Sequence, residues 1–563
     1  MLEQAKALGL SPMGPVPNQR QLEWYARERT AFFHFGMNTY TDREWGDGSE
    51  DPALFNPTEL DCRQWIRTIK EAGFACAILT AKHHDGFCLW PSAYTDHSVK
   101  SSPYQNGMGD VVREFTDACA EYGIKAGIYL SPWDRHEPTW GSDDYNDFYV
   151  GQLTELLTGY GKIWEVWWDG AGSTKCRYDW KRWVDTVRAL QPDAVIFGSL
   201  GASPYVDVRW VGNERGIAGK PCYANIDLSS LEIEIPLELN QGKEDGTHFI
   251  PAEVDVSIRP GWFYHAEQDA EVRSPANLAE LWFCSVGRNA GLLLNLPPDR
   301  RGLLCEKDIA SLKEFDRLMT EAFRDNLARG AHISANSVRG TECAPKQILC
   351  SDGEGFYAPA DETESPELLF TFDEEVEFNT ISLSEVIALG HRVFGFAFYA
   401  KVDGEWRILC ESSCVGYRCV ERFDTVRTKE AKLSVTKAKG APLLHSFGLY
   451  KIPVLSQTDA YSLYLGKNFM ESRAARLERE GDTLELHIGG IRPFNLLRLR
   501  GEGIEGMEIE LFNGTDFEAK LVAEGSEYRF ERMIDWSYRL RVKVKGETKG
   551  NLGAELFCDP KEN

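Results

Sequence analysis

Short apolar runs alternate with longer amphipathic stretches along roughly the first 330 residues. The runs Ala31–Asn38, Ala77–His84, Lys125–Pro132, Ile163–Gly170, Ala194–Ser199, Arg209–Glu214 and Gly291–Pro298 predict strands. Helical spacing fills Asp61–Ala72, Asp110–Tyr122, Asp147–Tyr160, Tyr178–Leu190 and Pro275–Val286, and a further helix over Glu306–Leu327 closes the unit. Strands that are apolar almost without a break are buried on both faces, which means a parallel sheet flanked by helices. Seven or eight such units in about 300 residues fit a (β/α)8-type, TIM-like barrel better than a doubly wound sheet. The polar stretch Pro221–Val254 shows no clear helical spacing, so an irregular segment is expected there, with a seventh strand near Glu253.

From about residue 335 the period changes to two. Thr380–Val386, Gly395–Val402 with the turn Asp403-Gly404, and Lys432–Val435 predict an antiparallel sandwich. A further alternating stretch holds Thr483–Ile488, Leu496–Leu499, Met507–Phe512 and Tyr538–Val544. The expected division is a barrel over 1–332, a β-sandwich over 333–455 and a second β-domain over 456–563.

Charge narrows the partners. With 62 basic against 87 acidic residues the net charge is −25, which argues against nucleic acid or an anionic membrane surface. No apolar run reaches the ~18 residues of a membrane span. The start of the chain carries no basic and apolar leader pattern, and the 14 cysteines are scattered without a paired CxxC signature, so free thiols and a cytoplasmic location are expected. Sixteen Trp and 21 Tyr supply flat faces that suit sugar rings as well as ordinary cores.

Reactive groups of such a barrel lie just past the carboxyl ends of its strands. Here those positions hold His34, then Glu44-Trp45; Lys82-His83-His84-Asp85; Tyr129 followed by Trp133-Asp134; Trp167-Trp168-Asp169-Gly170; and Trp210-Val211-Gly212-Asn213-Glu214. Two carboxylates, several histidines and a set of tryptophans on one rim suit glycosidic hydrolysis, which uses one carboxylate to attack or to activate water and one acid to protonate the leaving oxygen. Taken singly, Asp169 also reads as a helix cap, Glu214 as a loop ion pair, and the three histidines as a metal site. His83 and His84 are adjacent, so in an extended strand only one faces a pocket. Trp90 and Trp168 read as packing.

The ordered set His34-Phe35-Gly36, Glu44-Trp45, Lys82-His83-His84-Asp85-Gly86-Phe87, Tyr129-x-Ser131 and Trp167-Trp168-Asp169-Gly170 resembles the α-L-fucosidases of glycoside hydrolase family 29 over about residues 20–330. The resemblance implies that Asp169 is the nucleophile, that His34, Glu44, Trp45, His83, His84 and Tyr129 bind fucose, and that neither metal nor other cofactor takes part. The segment Trp210–Glu214 resembles the acid/base segment of the branch acting on α-1,3/1,4 linkages, which puts the acid/base at Glu214, with Glu50, Glu253 and Glu267 as rivals. Ile258–His265 also resembles that branch; Trp262 is expected against the fucose methyl, and Trp133 among the substrate contacts. Residues 370–452 resemble the discoidin-like, galactose-binding-like sandwich attached to it. The expected activity is retaining exo-hydrolysis of α-1,3/1,4-linked L-fucose from branched, Lewis-type oligosaccharides, with a raised pKa on Glu214. A glycosidase for another sugar such as a galactoside, a non-catalytic carbohydrate-binding protein and a metal-dependent hydrolase are the alternatives.

Overall fold

The computed structural model describes residues 2–172, 176–198, 200–232, 235–349, 355–361, 363–455, 461–462, 464–472, 475–488, 492–513, 516–534 and 539–559. Eight parallel strands close a barrel in chain order: Arg29–Phe33, Cys76–Lys82, Lys125–Leu130, Glu165–Trp168, Val195–Gly198, Val208–Trp210, Ala252–Ser257 and Gly291–Asn295. The first strand closes the ring against the last with Arg29 opposite Leu292 and against the second with Thr30 opposite Cys76. Every residue of the second and seventh strands is buried, as a stave flanked by helices requires.

Most strands and helices are shorter than the apolar patterns suggest, the helix Tyr145–Gly159 excepted, for physical reasons that differ at the two kinds of end. Asp61, Asp110 and Asp179 stand before their helices, where their side chains accept from the backbone N–H of Gln64, Arg113 and Arg182 and satisfy donors the first turn leaves free. At the carboxyl ends the apolar runs outlast the ladder. The first strand stops at Phe33 and the second at Lys82, after a register shift against the third strand between Thr80 and Lys82. His34, His83 and His84 therefore stand beyond the pleat, and strict alternation no longer governs where they face.

The sixth strand is only three residues long; it pairs with the fifth at two positions, Phe197–Val208 and Gly198–Arg209, and with the seventh at two, Arg209–Ala252 and Trp210–Glu253. The segment expected to be irregular is more ordered than its sequence suggests. It holds helices Leu228–Glu232 and Pro236–Gln241 and a two-stranded ribbon of Asn225–Ile226 against His248–Phe249. Each piece is too short to show a period. Buried Arg209 ties this segment to the sixth strand, donating to the carbonyls of Leu239, Tyr223 and Ile250.

Beyond the barrel a six-stranded antiparallel sheet contains two long strands, Glu367–Glu385 and Cys419–Ala438, whose pairing shifts register between Thr371 and Val376 and between Phe378 and Thr380. The alternating segments Thr380–Val386, Gly395–Val402 and Lys432–Val435 fall largely within strands of this antiparallel sheet. Asp403 and Gly404 make its hairpin turn with positive φ at both residues. Buried Glu385 holds this region together by accepting from the backbone N–H of Arg392, Val393 and Gly416. The last residues form a five-stranded and a three-stranded sheet around one core that includes Leu484, Leu497, Met507, Val542 and Leu556. Tyr538, an expected strand residue, lies outside the described residues. No helix among the described residues is long and apolar enough to cross a membrane.

Candidate active site

Asp169 follows the fourth strand directly. Its Oδ1 accepts the N–H of Ala171 at 2.8 Å and its Oδ2 accepts the Tyr129 hydroxyl at 3.0 Å. Asp169 does cap a turn, then, but one oxygen is aimed across the barrel mouth with a phenol to orient it. Burial, and next the charge of Asp169, push the Tyr129 phenol well up, so it stays neutral and donates.

The histidines form one wall. The His83 and His84 rings lie 4.0 Å apart, and His34 and His83 meet edge to face at 5.6 Å. Both members of the His-His pair face the mouth, in contrast to the alternation expected of a strand, because the ladder has already ended. Their partners fix the tautomers. Asn295 Oδ1 accepts from both the backbone N–H and Nδ1 of His34, at 3.2 and 2.9 Å. Asn38 donates to the Glu44 carbonyl and, at 3.2 Å, to His83 Nδ1. The Ser131 hydroxyl donates to the Trp133 carbonyl at 2.6 Å and so accepts from His84 Nδ1 at 2.8 Å. His34 and His84 are left with Nε2 as an acceptor, and His83 with Nε2–H as a donor. Burial holds all three neutral, pushing His34 down to about 3 and His84 to about 4. A neutral His84 Nε2 stands 3.7 Å from Asp169 Oδ2, where a hydroxyl donating to either would fit.

Packed against the histidines is a loop between the seventh strand and the helix Pro275–Cys284, its Trp262 ring 5.1 Å from that of His34. Trp262 donates its backbone N–H to Glu44 Oε2 at 2.8 Å and its indole N–H to Glu214 Oε2 at 3.4 Å. Glu44 Oε1 also accepts from Phe263 N–H at 3.2 Å and His265 Nε2 at 2.6 Å. Burial works against a charge on His265, yet Glu44 and Asp42 on either side raise its pKa. Asn295 joins the two walls, donating to the Trp262 carbonyl at 2.7 Å while holding His34. Trp45, 54% exposed, meets Trp133 edge to face at 5.7 Å and leaves an aromatic lip above His84.

Glu214 is half-buried on the loop after the sixth strand. Burial, then the charge of Asp169, push its carboxyl up to about 7, against the opposing pull of the Trp262 indole. Behind it, Asp255 on the seventh strand accepts the Trp210 indole N–H at 2.9 Å and is itself pushed up by burial and by Glu214. The rivals stand elsewhere. Glu253 is enclosed lower in the barrel between the indoles of Trp24 and Trp167. Glu50 accepts the N–H groups of Asp47 and Gly48 and shapes the loop bearing Glu44. Glu267 is exposed on a short 3-10 turn. Trp90 and Trp168 are buried packing residues.

The sequence reading gave no role to Asn38, Asn295 or Asp255, and named Ser131 and His265 only as members of motif segments. Asn295 carried a signal, a polar residue ending the apolar run Gly291–Asn295; the others become meaningful only beside residues far away in the chain. Among the described residues no group of three or more His, Cys, Asp or Glu is arranged to hold a metal ion.

Comparison with known proteins agrees with this arrangement. The family model for α-L-fucosidase matches residues 13–322. α-L-Fucosidase 1 of Arabidopsis thaliana is 43% identical over 451 residues, spanning 78% of this chain and 88% of its own. A Bacteroides thetaiotaomicron structure assigned to the α-L-fucosidases is 47% identical with a TM-score of 0.78, covering 79% of this chain and 100% of its own. A Ruminococcus gnavus GH29 fucosidase in complex with fucose is 32% identical with a TM-score of 0.73, covering 79% and 96%. With a family model over more than half of it and relatives matched along most of its length, the chain belongs to the α-L-fucosidase family, glycoside hydrolase family 29, and is a glycoside hydrolase.

Proposed function

We propose that the protein is a retaining exo-α-L-fucosidase that releases α-1,3/1,4-linked L-fucose from branched, Lewis-type oligosaccharides, with Asp169 as nucleophile and Glu214 as acid/base. The observation that carries this reading is the pair itself: one carboxylate oriented by a phenol, and near it a second carboxyl held up at about 7 by burial and by the first. In the first step an Asp169 oxygen forms a bond to the anomeric carbon as the bond to the aglycone oxygen breaks, and Glu214 gives that oxygen its proton. In the second, the Glu214 carboxylate takes a proton from water, whose oxygen displaces Asp169 from the anomeric carbon. Configuration is retained and both carboxyls return to their starting states.

His34, His83 and His84 offer an acceptor, a donor and an acceptor to the sugar hydroxyls, and Trp262 offers an apolar face for the C6 methyl. Such a face favours fucose over galactose by about 1–3 kcal/mol. The segment Trp210–Glu214 and the lip of Trp45 and Trp133 support a branched acceptor, whose extra sugar supplies remote binding energy that is realised in the transition state. Comparing kcat/KM on a Lewis-type trisaccharide with that on 2'-fucosyllactose tests the linkage: the first should exceed the second by at least about tenfold. Equal rates, or faster cleavage of 2'-fucosyllactose, would remove the α-1,3/1,4 assignment.

A further inference from the structure

The loop carrying Trp262 is gripped from outside the barrel. Inside, Arg259 is fully buried and bound to Asp308 and Asp269, and Gln268 Oε1 accepts the N–H of Gly261 at 3.1 Å. On the outer side, a few residues further along, the grip comes from the C-terminal sheets. Arg492 forks onto the Glu271 carboxylate at 2.6 and 3.1 Å while donating backward to the Ile488 carbonyl. Tyr464 donates its hydroxyl to the Glu271 carbonyl, and Lys467 its ammonium to the Ala270 carbonyl at 3.3 Å. Arg492 is fully buried, so this is a desolvated, bidentate pair of the kind that fixes geometry as well as position. Three side chains from beyond residue 460 thus converge on one rim loop.

We infer that the C-terminal sheets are a positioning element for the active-site rim: through Arg492 on Glu271 they hold residues 258–273 so that Trp262 stays on both Glu214 and Glu44. Arg492 touches no reacting atom and is a positioning residue. The role rests on the acid/base assignment made above for Glu214. If the loop is released, Glu214 gains water and loses its indole donor together; burial is the larger influence on its pKa, so the acid weakens its hold on the proton.

The test uses the full chain with Arg492→Gln, Arg492→Lys and Tyr464→Phe. Hydrogen exchange over residues 258–273, measured without substrate, should quicken at least tenfold in Arg492→Gln and less in the other two, with barrel strands unchanged. In the same variant kcat/KM on a Lewis-type trisaccharide should fall about tenfold and its alkaline limb move to lower pH. Dinitrophenyl fucoside, which needs no acid, should lose several-fold less than the trisaccharide, and Arg492→Lys should recover part of the loss. Unchanged exchange overturns the inference, as does faster exchange with unchanged kinetics or with equal losses on both substrates. Because exchange is read without turnover, failure of the linkage or acid/base assignment leaves that arm intact.

Discussion

Two pairs of acids occupy this barrel, one near its floor and one at its rim. Glu165 and Glu253 lie on the fourth and seventh strands with essentially no exposure; burial raises both, Glu253 to about 7, and Glu165 finds no hydrogen-bond partner for either oxygen. Asp169 and Glu214 stand past the ends of the fourth and sixth strands, half-buried, and Glu214 is also raised to about 7. The same shift therefore arises twice in one molecule. The difference is access and orientation: Glu253 on the floor is walled by Trp24 and Trp167, whereas the rim acids keep some exposure beside side chains that offer donors and acceptors to a ligand. A perturbed carboxyl marks a site only where something can reach it.

Removing rim groups should abolish chemistry, and the largest loss is expected from Asp169→Gly. Without a nucleophile no fucosyl-enzyme forms, so turnover should fall at least about a thousandfold on every substrate, and azide should yield β-fucosyl azide. Residual rates within tenfold of wild type would shift the nucleophile elsewhere. Glu214→Gly should cost roughly 10²–10⁴-fold on natural glycans while sparing dinitrophenyl fucoside, with α-fucosyl azide as the trapped product. The wild-type pH profile sharpens this. A carboxyl raised to about 7 is protonated below that pH, so kcat/KM on natural glycans should decline as pH rises through about 7, and that limb should vanish in the variant. Replacing His34, His83 or His84 by Ala leaves a sugar hydroxyl unpaired, at about 1–3 kcal/mol, and should lower kcat/KM by more than tenfold with the fold intact. Loss of wild-type activity in EDTA with recovery on zinc would instead make these residues ligands.

The smallest catalytic effect belongs to the floor. Glu253→Gln should leave kcat/KM within about threefold. It should change the pH dependence of stability instead. The folded carboxyl titrates near 7 against an ordinary 4.5, so folding favours the protonated form, and wild-type stability should drop as pH rises from about 4.5 through 7. The variant should lose Glu253's part of that slope, while its amide nitrogen leaves one of the two indole N–H groups without an acceptor. A thousandfold drop in activity would erase the distinction between the two pairs.

The barrel was legible because its strands are apolar on both faces and helical spacing fills the stretches between them, both local features. Seven strands are found where the apolar runs lie, and the eighth, Ala252–Ser257, contains Glu253, Asp255 and Ser257, polar residues facing inward that hide it from an apolar count. The rim motifs were legible as a set. What sequence could not show was how they are held: Asn295 reaches Trp262 across 33 residues of chain and His34 across 261, and Glu44 meets Trp262 across 218. The placement of His83 and His84 on one side of the mouth was also out of reach, since it follows from where a ladder stops rather than from the residues themselves.

The sixth strand, tied to each neighbour at only two register positions, carries a consequence for divergence. Asp169 grows from a stave paired at three positions on one side and four on the other, so moving it would disturb the ladder on both flanks. Glu214 grows from the thinnest stave. Insertions or deletions there sacrifice few backbone hydrogen bonds, and Arg209 clasps the following segment from inside. On the proposed roles, the nucleophile sits where the fold resists change, whereas the proton donor sits where a loop can be exchanged at little cost to the ladder.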